Sequence, residues 1–220
     1  MIPCAYFTGG ECVETMENHI RRGLELLERL YLERNYDSFL GRLTGVEPEV
    51  AGDILRKAYA LHDVGKCLEV FQKRRAKFGF HWFYSYLVAR TTFGRFGKAG
   101  KIASVAILLH HHDWRLNKSP PKPENPELCK GCLHLLENIT MEKLPREIPW
   151  VEPQVAYSEA ESALRENLRA IYAFLLPIVV ADNYTASCNR GGTGSALGRE
   201  ILEALRVRGW DFAGCISGGV

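Results

Sequence analysis

The chain has 220 residues, 46% of them hydrophobic and 25% charged, which allows a substantial core and is ordinary for a globular protein. A net charge of +2 is too small to mark a nucleic-acid binder by itself, although a local basic patch is compatible with it. No uninterrupted apolar run approaches the ~20 residues of a membrane-spanning helix, and the first residues lack a secretory pattern, so the expected location is cytoplasmic with no membrane partner.

In chain order, residues 14–33 carry Ile20, Leu24, Leu27 and Tyr31 at helical spacing. His19 shares a face of this helix with Gly23, Leu26, Leu27 and Leu30. A histidine on such a face is commonly a hydrogen-bonded core residue, and Gly23 one turn on leaves space beside its ring. Residues 50–64 continue with Val50, Ile54, Leu55, Ala58 and Leu61, again helical, and run into Leu61-His62-Asp63-Val64-Gly65-Lys66. Residues 81–92 and 99–112 predict two more helices, with glycines at 94, 97 and 100 between them. From 117 to 153 prolines crowd the chain, which predicts an insertion or long loop with a short helix at 128–138. Residues 157–187 predict a long helix, capped by Ser158 with Glu161 and kinked at Pro177. A last helix is expected at 195–208, after a glycine turn at 191–194. Few segments alternate with period two, so no central sheet is expected.

Seven cysteines in a chain of this size are expected to be mostly reduced. Cys129 and Cys132 form a CxxC pair. A structural zinc needs four ligands, so the pair alone is not a site. Two unremarkable thiols are the expected reading, with a local disulfide, or a zinc site completed in space by Cys4, Cys12 or His134, as the alternatives.

The His62-Asp63 dipeptide sets a neutral nitrogen beside a charged oxygen, which suits one metal or a carboxylate bridging two. Gly65 permits a close backbone approach, and Lys66 one turn after His62 can hold a phosphate. The plainer alternative is a helix end with His62 and Lys66 at its negative pole. Three histidines at 110–112 follow the apolar run SVAILL. Neighbouring helical positions point about 100° apart, so two of the three can flank a metal. His81 opens the aromatic segment HWFYSYLVAR. Asp182 lies in the apolar segment PIVVADNYTAS, where a carboxylate needs a partner.

The ordered set of His19, His62-Asp63, His81, the paired histidines and Asp182 resembles the HD superfamily of metal phosphohydrolases. Within it, the chain is similar to the HD nuclease of type I CRISPR interference systems. The similarity rests on ETMENHIRRGLELLERL around His19, on LHDVGK followed by Phe71-Gln72, on His81 with Ser85 four residues on, and on VADNYTAS around Asp182. It spans roughly residues 12–190. The resemblance implies an all-α HD-domain helical bundle over 1–220, with a Pro-rich insertion around 117–153. It implies a first metal on His19, His62, Asp63 and Asp182, a second on His81, His110 and His111, and Asp63 bridging both. The family pattern is His-His-Gly, whereas a third histidine and Asp113 follow here. The offset to Ile107 favours the pair 110–111, and the stripe of Val105 and Leu109 favours burial of His112.

Two divalent ions about 3.5–4 Å apart suit phosphodiester hydrolysis, with Asp63 and Lys66 as the catalytic residues. An imidazole-rich shell suits Mn, Fe, Co, Ni or Zn, with Mg a further option. The resemblance implies a nuclease acting mainly on single-stranded DNA. Lys66, Lys73, Arg74, Arg75 and Lys77 supply a basic run, with Phe71, Phe78, Phe80, Trp82, Phe83 and Trp114 near it as stacking surfaces. The run reads equally as a solvated helix face. No GxxxxGK[ST] phosphate loop occurs, since GGTGSALGRE lacks the lysine. The resemblance therefore implies a stand-alone subunit working with a separate helicase and an RNA-guided surveillance complex. The alternatives are an HD phosphohydrolase acting on a nucleotide or cyclic nucleotide, and a scaffold that merely keeps the motif.

Overall fold

The chain opens with an antiparallel hairpin of β1 (Cys4–Thr8) and β2 (Glu11–Thr15). Gly9 and Gly10 turn it with φ of 60° and 85°, the left-handed geometry that two-residue hairpin loops favour. The computed structural model describes residues 2–111, 119–191 and 195–209. The expectations for His112, Asp113 and Trp114 lie outside these residues, as does most of the 191–194 turn.

The hairpin feeds directly into α1 (Met16–Leu30), because Thr15 both pairs with Cys4 and caps the helix by accepting from the Asn18 amide. The first helix therefore begins two residues later than its apolar spacing suggests, and Glu14 belongs to the strand. α2 (Tyr36–Thr44) and α3 (Pro48–Leu61) follow, the latter with proline in its first turn, where no amide is needed. α3 ends at His62, and a 3₁₀ turn (Val64–Cys67) leads into the short α4 (Glu69–Arg74). α5 (His81–Thr92) and α6 (Gly97–Leu109) make the next pair. Every residue of α6 from Ile102 to Leu109 is buried, so it is a central helix covered on all sides. α1, α3, α5 and α8 (Pro153–Asn189) surround the core it shares.

The proline-rich stretch is more ordered than a long loop. Residues 126–128 bridge to Leu68 and to residues 146–148, and α7 (Lys130–Thr140) packs on α3. Two disulfides join Cys4 to Cys12 and Cys129 to Cys132, and Cys188 is also oxidised, contrary to the expectation of mostly reduced thiols. The irregular hairpin, whose register shifts between Cys4 and Phe7, brings the first pair together, and one helical turn the second, with Cα separations of 5.8 and 5.3 Å that suit a bridge. Among the described residues Cys67 is a free, buried thiol.

α8 departs from expectation in two ways. It starts at Pro153, leaving Ser158 inside the helix rather than at its cap. Its irregular residue is Asn167 (φ −134°, ψ 30°), not Pro177. Pro177 lacks the amide that would reach the Ala173 carbonyl, and the Tyr36 hydroxyl donates to that carbonyl instead, at 2.9 Å. By length and apolarity α8 could cross a membrane, yet most of its apolar window is buried within the chain. α9 (Ala196–Val207) closes the described chain, capped by Ser195.

Removing the substitute donor should expose the proline's cost. Tyr36→Phe is expected to destabilise the fold by about 1 kcal/mol, the usual cost of orphaning a partly buried carbonyl. Denaturant unfolding measures it, and unchanged stability would show that water replaces the hydroxyl at no cost.

Candidate metal centre

All but one of the candidate ligands sit at or near the end of a packed helix, Asp182 lying within α8. His19 comes from α1, His62 and Asp63 from the end of α3, His81 from the first residue of α5, His110 from the last turn of α6, and Asp182 from α8. Their donor atoms fall into two groups. His19, His62, Asp63 and Asp182 form one, and Asp63, His81, His110 and His111 form the other, with the atoms of each group within 4.8 Å of one another.

Asp63 stands between them. Its Oδ2 is 3.5 Å from His19 Nε2 and 3.4 Å from His62 Nε2, while its Oδ1 is 3.3 Å from His81 Nε2 and 3.7 Å from His110 Nε2. Asp182 Oδ1 closes the first group, 3.3 Å from His19 Nε2 and 3.6 Å from His62 Nε2. His111 Nε2 lies 2.8 Å from His81 Nε2.

The imidazoles are oriented from behind. His62, His81 and His110 each place Nδ1 on the carbonyl three residues back, of Tyr59, Phe78 and Ile107, at 2.5, 3.0 and 2.6 Å. His19 places Nδ1 on the Glu14 carboxylate at 2.7 Å. With Nδ1 donating, each Nε2 faces the shared centre.

The electrostatics call for positive charge. Burial raises both aspartate carboxyls, but Lys66 and His62 beside Asp63, and His19 and His62 beside Asp182, hold them well below the usual carboxylate range. Burial lowers His19, yet Asp182 and Glu14 outweigh it and push the ring up to about 9. Burial, then the rings of His110 and His81, push His111 down to about 2, so it is a neutral donor. Asp63 Oδ1 and His110 Nε2 are buried without a hydrogen-bond partner. Lone pairs left this way, in a shell of imidazole and carboxylate, fit a divalent cation.

The scaffold behind the turn is tight. The Gly65 amide donates to Ser85 Oγ at 2.8 Å, and a side chain on Gly65 would meet the His81 carbonyl at 2.1 Å. Gln72 donates to the carbonyls of Cys4 and Lys66 and accepts from the Cys4 amide, tying the hairpin to the turn. Tyr59 fills the space above Gly23 and stacks on His62, so the gap expected beside His19 holds a tyrosine rather than a ligand.

Above the ligands opens a cavity of 620 Å³, bordered by hairpin residues Ala5 to Phe7, by Phe78 and by α8. Lys66 and Lys77 line it, as does Arg190. Lys66 also pairs with Asp63 Oδ2 at 2.5 Å and lies over the Phe78 ring. Lys73, Arg74 and Arg75 are exposed and do not line the cavity, and Lys73 pairs with Glu69. A larger cavity of 820 Å³ beside α7 contains none of the candidate ligands. The sequence reading missed Glu14, Tyr59 and Arg190. Glu14 was the most accessible of the three, five residues ahead of His19, but it was placed on the helix.

Gly65→Ala is expected to destabilise the protein by a few kcal/mol, since backbone rather than a flexible side chain must yield. Thermal unfolding reads this out, and an unshifted midpoint would mean that α5 can retreat without loss.

Comparisons with known proteins agree with this geometry. The family model described as HD domain matches residues 16–148, more than half of the chain. The chain is also 30% identical over 109 residues to the CRISPR-associated endonuclease Cas3-HD of Thermoproteus tenax. That match covers 49% of this chain and 44% of the relative, so the chain spans less than half of the relative's length.

Proposed function

The chain belongs to the HD domain family, and on that premise we propose that it is a metal-dependent nuclease cleaving phosphodiester bonds in single-stranded DNA. The observation that carries the reading is Asp63, one buried carboxylate facing two imidazole clusters with one oxygen each. His19, His62, Asp63 and Asp182 would hold one divalent ion, and Asp63, His81, His110 and His111 a second. Bound ions of this kind supply Lewis acidity and a nucleophilic water at neutral pH.

The protein's own residues do the rest. Lys66 carries its ammonium at the cavity wall beside Asp63, where it can meet a phosphate oxygen. Lys77 and Arg190 add positive charge along the same wall, and Phe7 and Phe78, 5.6 Å apart between ring centroids, offer apolar faces to a base. Lys73, Arg74 and Arg75 would then act outside the cavity, along the approaching strand. The similarity to the CRISPR-associated endonuclease Cas3-HD supports a role in CRISPR interference. In that role a separate helicase and an RNA-guided complex would deliver the displaced strand.

Metal-loaded protein should cleave single-stranded DNA in a series of Mn²⁺, Co²⁺, Ni²⁺ and Mg²⁺, with little turnover of nucleotides or cyclic nucleotides. Intact DNA alongside a hydrolysed nucleotide would assign the site to small phosphate esters instead. Asp63→Ala removes a ligand from both clusters and should cut the rate more than the ~10–100-fold typical of outer-shell changes, with the fold retained by circular dichroism. Activity close to wild type in that variant would dismiss the bridging role.

A further inference from the structure

The two clusters are not equivalent. Three of the four oriented imidazoles donate to backbone carbonyls, whereas His19 donates to a carboxylate. Glu14 is buried at the end of β2, and three hydrogen bonds and a further ion-pair contact converge on it. Its Oε1 accepts from His19 Nδ1 and from Asn189 Nδ2, both at 2.7 Å. Its Oε2 accepts from Arg190 Nε at 2.9 Å and lies 2.8 Å from Arg190 Nη2.

The clamp reaches across the chain. Asn189 and Arg190 lie at the end of α8, the helix that also delivers Asp182. Glu14 thus ties the His19 ring to the helix carrying its neighbour in the cluster, 3.3 Å away. A carboxylate behind an imidazole fixes its tautomer and raises its basicity as a ligand more than a neutral carbonyl does. The first cluster also contains two carboxylates, while the second has only the shared Asp63.

We infer that Glu14 is a positioning residue that makes the cluster of His19, His62, Asp63 and Asp182 the tighter of the two cation sites. The inference rests on reading the two clusters as a metal centre. Glu14 does not line the 620 Å³ cavity and acts only through His19.

Calorimetric titration of the metal-stripped full chain with Mn²⁺ is the test. Wild type should bind in a tight and a weaker step, and His111→Ala should remove the weaker one. Glu14→Gln should weaken the tight step by about 10–100-fold and leave the weaker step in place. Because that variant removes the carboxylate beside Arg190, Glu14→Gln/Arg190→Gln provides a neutral pair, and it should show the same loss. Ring ¹⁵N spectra give a readout that a purely structural role would not move. At a pH high enough for the ring to be neutral, His19 should hold its proton on Nδ1 in wild type and sample both tautomers in each variant. Absence of Mn²⁺ binding in wild type would overturn the metal-centre reading together with this inference. Stepwise wild-type binding with the tight step and the His19 tautomer intact in both variants would overturn the inference alone.

Discussion

The architecture turns on the cost of holding two carboxylates inside a helical bundle. Asp63 and Asp182 stay ionised in surroundings that disfavour charge, and what makes this tenable is the ring of imidazoles and the lysine that converge on them. The converging groups come from α1, α3, α5 and α6 and from the turn after α3, and Asp182 itself from α8. The site is therefore only as good as the packing of α1, α3, α5, α6 and α8 around one another, and the core and the centre are a single construction.

This explains which features could be read from the amino acids alone. The apolar spacing of α3, α5 and α6 is dense and uninterrupted, so those helices were legible, and so were the histidines and the aspartate at their ends. The hairpin was not. Its strands are five residues each, and the buried positions of β1 and β2 do not form a clean alternation. Its evidence was the Gly9-Gly10 pair, which reads as a turn only when flanked by recognisable strands. Reading Glu14 as helical followed from the same blind spot.

Two expectations about α8 failed for a common reason, namely that local signals lost to tertiary partners. Ser158 and Glu161 form a plausible cap, but Pro153 starts the helix a turn earlier. Pro177 should bend the helix, but a tyrosine from α2 occupies the freed carbonyl and the irregularity falls at Asn167. Neither partner is visible from the helix's own sequence. The choice among residues 110–112 had competing signals, the offset to Ile107 against the stripe of Val105 and Leu109; among the described residues, the fold brings 110 and 111 to the cluster.

The three hydrogen bonds of Gln72 have a mechanical corollary. One buried amide grips the strand at Cys4 and the turn at Lys66 together, so the hairpin roof and the ammonium beneath it form one rigid jaw. The cavity mouth cannot widen by lifting the hairpin unless that grip is broken. Any widening for a bulkier guest falls to the rest of the rim, the Ala76–Phe78 segment against Phe7 and the end of α8, which together gauge what the chamber admits.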